Sequence, residues 1–249
     1  KSPYFVPYTF YEEELWVAPA FGEASYYPVL VMDWVEGPSM GQYVQDLCDR
    51  EAQEQLKDLA LAFDQMALWL LQKQFAHGDL KHDNIILRNN QPVLIDYDGC
   101  FVPGMENKQA PELGTPGFQH PERDENLFNK HIDDISIGVI SASLHALMFK
   151  PELWHTYHNG ENMLFTPQDL QKPMKSAVFK ELHKFRSSVL QLRFSLLQYG
   201  LNTLQSVPGL TDALKVNQQD IWEYKHYKEI PSEGTQDQEE AYSPENLKS

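Results

Sequence analysis

The spacing of hydrophobic residues changes along the first part of the chain. Aromatic and β-branched residues crowd residues 4–6, 8–11 and 15–17, a composition typical of β-strands. A continuous apolar run at 28–32 predicts a strand covered on both faces. From about 40 to 74, apolar residues recur at spacings of three and four, which predicts a helix that is buried nearly all round in its second half.

The rest of the chain alternates short strands, a long loop and further helices. Apolar runs at 85–87 and 92–95, separated by a polar turn, predict two short strands. Residues 96–122 form a loop rich in Gly and Pro, and its length indicates function. The strongly apolar stretch 132–149 predicts a central helix, and helical patterns continue over 168–199.

Composition and charge narrow the class of protein. The 249 residues carry 20 Lys and Arg against 36 Asp and Glu, a formal charge of −16, which argues against nucleic-acid binding because phosphate backbones need a basic face. Two cysteines, Cys48 and Cys100, are too few for a disulfide scaffold and fit a reducing, cytoplasmic compartment. No apolar run approaches the roughly 18 residues of a membrane span.

The candidate chemistry lies in two short segments, HGDLKHDN at 77–84 and DYDG at 96–99. Two strands joined by a turn would bring the ends of both segments together. One acid could then orient a hydroxyl, while the amide of Asn84 and the other acid meet a cation. Oxygen ligands without cysteine or clustered histidine favour Mg²⁺ over zinc, and phosphate groups commonly supply the remaining ligands. This composition suits phosphoryl transfer.

Five segments, in order, resemble motifs of the protein-kinase superfamily, in a bacterial Ser/Thr-kinase-like form with a variant His-Gly-Asp loop. Residues 77–84 look like the catalytic loop and 96–99 like a variant of the Asp-Phe-Gly motif. The segment GTPGFQHPE at 114–122 resembles the end of an activation segment, and 133–139 resembles the start of the central helix of the large lobe. Residues 31–37 resemble the hinge between the lobes. The resemblance implies an α+β fold with a mostly helical large lobe.

The resemblance also divides the chain into four parts. It implies a remnant of the small lobe with β-strands at 1–32, a hinge at 33–37, the large lobe at 38–230 and an acidic tail or extension at 231–249. No glycine-rich loop precedes the hinge, and Lys1 is the only basic residue there. Kinases clamp the triphosphate with such a loop and a strand lysine. We therefore expect that a segment preceding the chain is missing here, or that most of the small lobe has been lost.

The resemblance implies catalytic and metal-binding roles for five residues. Asp79 would orient the acceptor hydroxyl and take its proton, and Lys81 would neutralise charge on the γ-phosphate of ATP. Asn84 and Asp96 would hold Mg²⁺ against the phosphates. Thr115 would lie at the acceptor site, as in Ser/Thr kinases.

The hinge residues would bind the nucleotide base. Backbone groups at Asp33 and Val35 would contact the edge of the adenine. Met32 would lie at the back of the same pocket.

Three further residues would support the site. His77 is expected to pack beneath the metal-binding turn, and Asp133 would anchor the backbone of the catalytic loop. Glu122 would pair with an arginine of the late helices, either Arg186 or Arg193.

The chain departs from the kinase motifs at three positions of the segments 77–84 and 96–99. Gly78 replaces the arginine of the catalytic loop, so no cation is expected there to bind a phosphate on the activation segment, and switching by phosphorylation is not expected. Tyr97 and Asp98 replace Phe and Gly. Asp98 could share the metal ion with Asp96 or compete for it.

Three functions stay open. A Ser/Thr protein kinase, with ATP and a protein as its substrates, is favoured by Lys81 and by the segment at 114–122. A small-molecule phosphotransferase of the aminoglycoside or choline type is favoured by Gly78, because His-Gly-Asp is the usual form of the loop in those families. A pseudokinase, which binds partners without turnover, is favoured by the missing phosphate clamp, whereas the retained Asp79, Asn84 and Asp96 speak against it. The sequence does not indicate an oligomeric state.

Overall fold

A β-hairpin opens the chain and leads into a helical body. The computed structural model describes residues 2–204, 206–215 and 218–229. Strand β1 (Tyr8–Val17) pairs antiparallel with β2 (Ser25–Met32), and the pairing shifts register in the middle of β1. The β structure expected in this part of the sequence is therefore present.

The predicted covering of residues 28–32 is wrong. Leu30 and Val31 are 47% and 53% exposed. Neighbouring residues of a strand point to opposite faces, so both faces of β2 lack a packing layer within the part of the chain that the structure describes. The continuous apolar run cannot be explained by burial among the described residues.

The predicted single helix at 40–74 is two helices. Helix α1 spans Met40–Asp49 and α2 spans Gln53–Lys73. Ser39 begins α1 with a capping box, in which its hydroxyl accepts a hydrogen bond from the Gln42 amide. The break follows from Glu51, whose φ of +51° belongs to the left-handed region and cannot continue a right-handed helix.

The second hairpin positions the candidate site. Strands β3 (Ile85–Arg88) and β4 (Gln91–Leu94) pair antiparallel, which confirms the two short strands expected there. Asn89 and Asn90 both adopt positive φ, as a two-residue type I′ turn requires. The segment 77–84 ends where β3 begins and 96–99 follows β4, so the hairpin holds both candidate segments at its open end.

Helix α3 (Asp134–Phe149) forms the centre of the helical body and confirms the predicted central helix. All its residues but the last are buried, and it packs against α2 and α7. The helical pattern at 168–199 corresponds to several short helices rather than long ones. The remaining helices are α4 (Leu153–Tyr157), α5 (Pro167–Gln171), α6 (Ala177–Leu182), α7 (Ser188–Gly200), α8 (Leu210–Ala213) and α9 (Gln218–His226), with 3₁₀ turns at His82–Asn84, Pro116–Phe118, Pro173–Lys175 and Tyr227–Glu229.

Two expectations concern the ends of the chain and the membrane. The tail expected at 231–249 lies outside the described residues. Within the described ranges, no helix combines the length and the apolar character needed to cross a bilayer.

Candidate active site

The loop that carries Asp79 is held from below by the start of α3. The carboxylate of Asp133 accepts hydrogen bonds from the backbone amide of His77 and, at 3.0 Å, from that of Gly78. The ring of His77 is buried, and its Nε2 lies 2.8 Å from the carbonyl oxygen of Ile95. The loop is thereby fixed both to the central helix and to the end of β4.

Asp79 is the centre of a compact hydrogen-bonded group. Its Oδ1 accepts from the Thr115 amide at 2.7 Å, and its Oδ2 lies 3.0 Å from Lys81 Nζ. Lys81 Nζ also donates to Thr115 Oγ1 at 3.1 Å. Burial alone would raise the pKa of Asp79, but the hydrogen bonds from Lys81 and Thr115 outweigh it and hold the pKa below its ordinary value. The carboxylate is therefore ionised at neutral pH.

Asn84 is oriented by the same group. Its Nδ2 donates to the carbonyl oxygen of Asp79 at 2.9 Å and to Asp79 Oδ2 at 3.1 Å. Both N–H donors are thus engaged with Asp79, which leaves the amide oxygen available as a ligand. The backbone carbonyl of Asn84 accepts a hydrogen bond from the backbone amide of Ile95 at 3.0 Å. Asp96 is the next residue after this contact.

The oxygen atoms of Asn84 and Asp96 fit a hard divalent cation. Asp96 has a φ of +65°, and its side chain is exposed at the open end of the hairpin. No side-chain hydrogen bond joins Asp96 to Asn84 or Asp79 among the described residues. An amide oxygen and a carboxylate are ligands that suit Mg²⁺. In the described parts of the chain no group of three or more His, Cys, Asp or Glu side chains could hold a metal, and the predicted pair contains only one acid.

Glu112 is a further acid at the mouth of the site. Partial burial and the charges of Asp79, Asp96 and Asp98 raise the pKa of its carboxyl group. A Cβ added at Gly99 would lie 2.7 Å from Glu112 Oε1, so the side chain packs directly on the 96–99 turn. Sequence reasoning missed this residue because it lies between two motifs without any informative spacing.

The three residues expected to bind adenine line one cleft. The cleft has a volume of about 650 Å³, within the roughly 300–1,000 Å³ of small-molecule sites. Its lining includes Ile95 and Tyr97, the residues before and after Asp96 in the sequence. Its lining residues are Val6, Leu30, Met32, Asp33, Trp34, Val35, Glu36, Gly37, Ile86, Ile95 and Tyr97.

The pairing expected for Glu122 is wrong. Its side chain is exposed, and neither Arg186 nor Arg193 forms an ion pair with it in the described structure. Arg193 instead lies 2.7 Å from the buried carboxylate of Asp64. A buried carboxylate competes strongly for an arginine because leaving it unpaired would be costly.

A cation does contact the catalytic loop, although it comes from a different segment than in kinases. Arg123 Nη1 donates to the Gly78 carbonyl at 2.7 Å and to Gln119 Oε1, and Arg123 Nη2 donates to the Glu112 carbonyl at 3.4 Å. The expectation that no cation at position 78 binds a phosphate of the activation segment stays a prediction, because Arg123 contacts a backbone carbonyl of the loop. Arg123 directly follows the 114–122 motif, and the motif did not predict a role for it.

Parts of the chain are similar in sequence to known proteins. The phosphotransferase enzyme family APH matches residues 27–102, which contain the hinge and both candidate segments. An EKC/KEOPS complex subunit of Schizosaccharomyces pombe is 24% identical over 87 residues, 34% of this chain and 37% of the relative. The serine/threonine-protein kinase PknA of Nostoc is 27% identical over 143 residues, 53% of this chain and 25% of the relative.

A solved structure shows the same fold. The crystal structure of the LegK7 effector kinase of Legionella pneumophila superposes with a TM-score of 0.55 at 18% identity, over 92% of this chain and 53% of that one. The structure therefore has a kinase-like fold, and residues 27–102 are similar to phosphotransferases. The predicted α+β kinase-like fold is confirmed, and the matches support membership of the protein-kinase-like superfamily. The chain spans about a third and a quarter of the two curated relatives and about half of the solved kinase.

Proposed function

We propose that this protein is a Mg²⁺-dependent phosphotransferase that moves the γ-phosphate of ATP to a Ser or Thr hydroxyl of a protein. One arrangement carries the proposal. The carboxylate of Asp79 is held by Lys81, Asn84 and Thr115, and a cleft of about 650 Å³ reaches Ile95 and Tyr97, the residues on either side of Asp96. The activity of the whole protein is part of the proposal, because the chain spans only part of its relatives.

Asp79 would bind the acceptor hydroxyl and receive its proton. Its lowered pKa keeps it ionised at neutral pH, as a hydrogen-bond acceptor requires. Lys81, whose ammonium lies 3.0 Å from this carboxylate, would offset the charge of the transferring group. Phosphoryl transfer depends mainly on positioning and electrostatic stabilisation, so a fixed acid and a fixed cation are the contribution expected of the protein.

The amide oxygen of Asn84 and the carboxylate of Asp96 would hold Mg²⁺, which neutralises phosphate charge when it is bound. Met32 would lie at the back of the base pocket. Backbone groups of Asp33 and Val35 would contact the adenine edge. These assignments rest on the cleft that the three hinge residues line and on the free oxygen of Asn84.

The proposal includes a lobe division and a compartment. Residues 1–32 would be a small-lobe remnant, 33–37 the hinge and 38–230 the large lobe. Cys48 and Cys100 are both free, and burial raises the pKa of each thiol, to about 12 for Cys48. Two cysteines without a disulfide fit a reducing compartment, and we propose the cytoplasm.

A small-molecule phosphotransferase is the second candidate. It is favoured by the match of residues 27–102 to the APH phosphotransferase family. The Lys81–Thr115 contact and the similarity to a Ser/Thr protein kinase favour the protein acceptor. A pseudokinase would retain the nucleotide cleft and show no turnover.

The test follows radiolabel from the γ-phosphate of ATP with Mg²⁺, using the full protein. Mixed protein acceptors and a panel of aminoglycosides and amino alcohols are supplied in parallel. We expect Asp79→Asn to reduce transfer to protein by at least about 100-fold, the range of lost acid–base catalysis, and Asp96→Asn to reduce it strongly as well. Asp46→Asn, on the exposed face of α1, is the matched control.

Three outcomes would contradict the protein-kinase proposal. Equal transfer by wild type and both site variants would show that the site residues are misassigned. Label found only on a small molecule would support the second candidate. Binding of nucleotide with no transfer to any acceptor would identify a pseudokinase.

A further inference from the structure

Arg123 is a buried cation that joins three parts of the site. It is 9% exposed, and its Nη1 donates to the carbonyl of Gly78, the residue before Asp79. The same Nη1 donates to Gln119 Oε1, and Nη2 reaches the carbonyl of Glu112. One planar side chain therefore connects the catalytic loop, the backbone at Glu112 and Gln119 of the 114–122 segment.

The charges around Arg123 suit a permanent cation. Burial lowers the pKa of Arg123, and the charges of the nearby acids Asp133, Asp79 and Glu112 only partly oppose this shift. A guanidinium stays protonated in proteins, so these acids surround a fixed positive charge. Its Nε has no hydrogen-bond partner among the described residues, so its contacts to the site run through the two terminal nitrogens.

The contacts of Arg123 bracket the backbone turn that delivers Thr115 to Asp79. Glu112 lies before this turn and Gln119 after it, and Gly114 at its centre has a φ of +70°. A Cβ added at Gly114 would lie 2.6 Å from the Gly78 carbonyl, the same oxygen that Arg123 binds. The turn therefore contacts the catalytic loop at the Gly78 carbonyl, to which Arg123 donates its hydrogen bond.

We propose that Arg123 is a positioning residue, which keeps the Asp79 carboxylate and the Thr115 amide aligned without any covalent modification. A loop arginine can order such a segment only after a phosphate is added to it. Here the cation directly follows the segment and its acceptor is the backbone of the catalytic loop, so the aligned state needs no phosphate. The kinetic part of this inference rests on the proposed phosphotransferase function.

Substitutions at position 123 can distinguish the effect of the guanidinium's shape from the effects of its charge and its volume. Lys at position 123 would keep the charge, but a single ammonium cannot replace a planar fork that reaches the carbonyls of Gly78 and Glu112 from separate nitrogens. Gln would remove the charge and retain some polarity. Arg50, an exposed arginine paired with Asp46 on the surface of α1, is a matched control position.

The experiment compares Arg123→Gln, Arg123→Lys and Arg50→Gln in the full protein. Amide hydrogen exchange is measured by NMR at Gly78 and Thr115 and in the buried helix α3, together with kcat and KM for ATP. We expect Arg123→Gln to speed exchange of the Thr115 amide at least tenfold while α3 exchanges as in wild type. We expect kcat to fall at least tenfold with KM for ATP within threefold, because the hinge cleft is untouched, and Arg123→Lys to lie between.

Each alternative outcome overturns the inference. Unchanged exchange at Gly78 and Thr115 in a folded Arg123 variant would show that the arginine does not align them. Equal acceleration across α3 would indicate a merely structural residue. If Arg123→Gln does not fold, the same criteria apply to Arg123→Lys. A wild-type protein that transfers no phosphate would defeat the proposed function, whereas the exchange measurements would still decide the role of Arg123.

Discussion

The carbonyl oxygen of Gly99 occupies the space that a side chain at Gly78 would need. Gly78 also has a φ of +84°, a conformation that favours glycine. The catalytic loop and the 96–99 turn therefore approach each other through backbone atoms alone. This contact explains why the arginine usual in protein kinases is absent at position 78, and Arg123 reaches the same loop from another side.

Gly78→Ala is expected to destabilise the protein by about 3 kcal/mol or more. The positive φ costs about 1–2 kcal/mol for a residue with a Cβ, and the clash with Gly99 adds the cost of overpacking, about 1–3 kcal/mol. The free energy of unfolding in urea measures the loss. Gly104→Ala is the control, since Gly104 has a φ of +100° but no atom within 4 Å of an added Cβ. Equal losses in the two variants would show that the Gly99 contact does not matter.

Asp64→Asn is expected to cost about 3–5 kcal/mol of stability, the usual effect of leaving a buried charge without its partner. Asp64 joins α2 to α3 and α7, accepting hydrogen bonds from Ser141 at 2.7 Å and from Arg193 at 2.7 Å. Urea unfolding measures the change. Asp46→Asn breaks the exposed pair with Arg50 and should cost under about 1 kcal/mol. A similar small loss for Asp64→Asn would contradict the prediction.

The stability of the protein is expected to fall as the pH drops below about 6.5, the ordinary pKa of histidine. Burial, and then the charge of Arg193, lower the pKa of His145 in the folded state. As the pH falls, the unfolded chain therefore binds a proton that the folded protein does not, and the free energy of unfolding decreases. Burial also lowers the pKa of His82, which adds to the slope.

The contribution of His145 is isolated by His145→Gln, which removes the titration. Between pH 7 and 5 the variant should lose stability less steeply than wild type, by at most about 1.4 kcal/mol per pH unit. Urea unfolding at several pH values gives both slopes. His155→Gln, at an exposed histidine, is the matched substitution outside the buried core. Parallel curves for wild type and His145→Gln would rule out this explanation.

Tyr97→Phe is expected to loosen the segment that leads into β1. The Tyr97 hydroxyl accepts from the Val6 amide at 3.1 Å and donates to the Leu94 carbonyl. Losing these bonds should cost about 1 kcal/mol and accelerate hydrogen exchange of the Val6 amide. Tyr199→Phe, on an exposed tyrosine, provides the comparison. Unchanged protection of Val6 would mean that the hydroxyl does not hold this segment.

The candidate site could be predicted from the sequence only where its chemistry is local. The acid, lysine and amide of the 77–84 segment lie within six residues of one another, and β3 and β4 follow from apolar runs joined by a polar turn. Glu112 and Arg123 carried no comparable signal, because each acts through contacts across the fold. The sequence predicts an arginine partner for Glu122, whereas Arg193 forms its ion pair with Asp64 on α2.

The order of motifs and the alternation of apolar and polar residues, read along the chain alone, determined the superfamily, the central helix α3 and the second hairpin. These features depend on neighbouring residues, so a linear pattern suffices. The tertiary structure decided which charge pairs with which, why position 78 must be glycine, and that β2 is exposed on both faces. Those outcomes depend on desolvation and steric contact between segments far apart in sequence, and no local pattern records which segments meet.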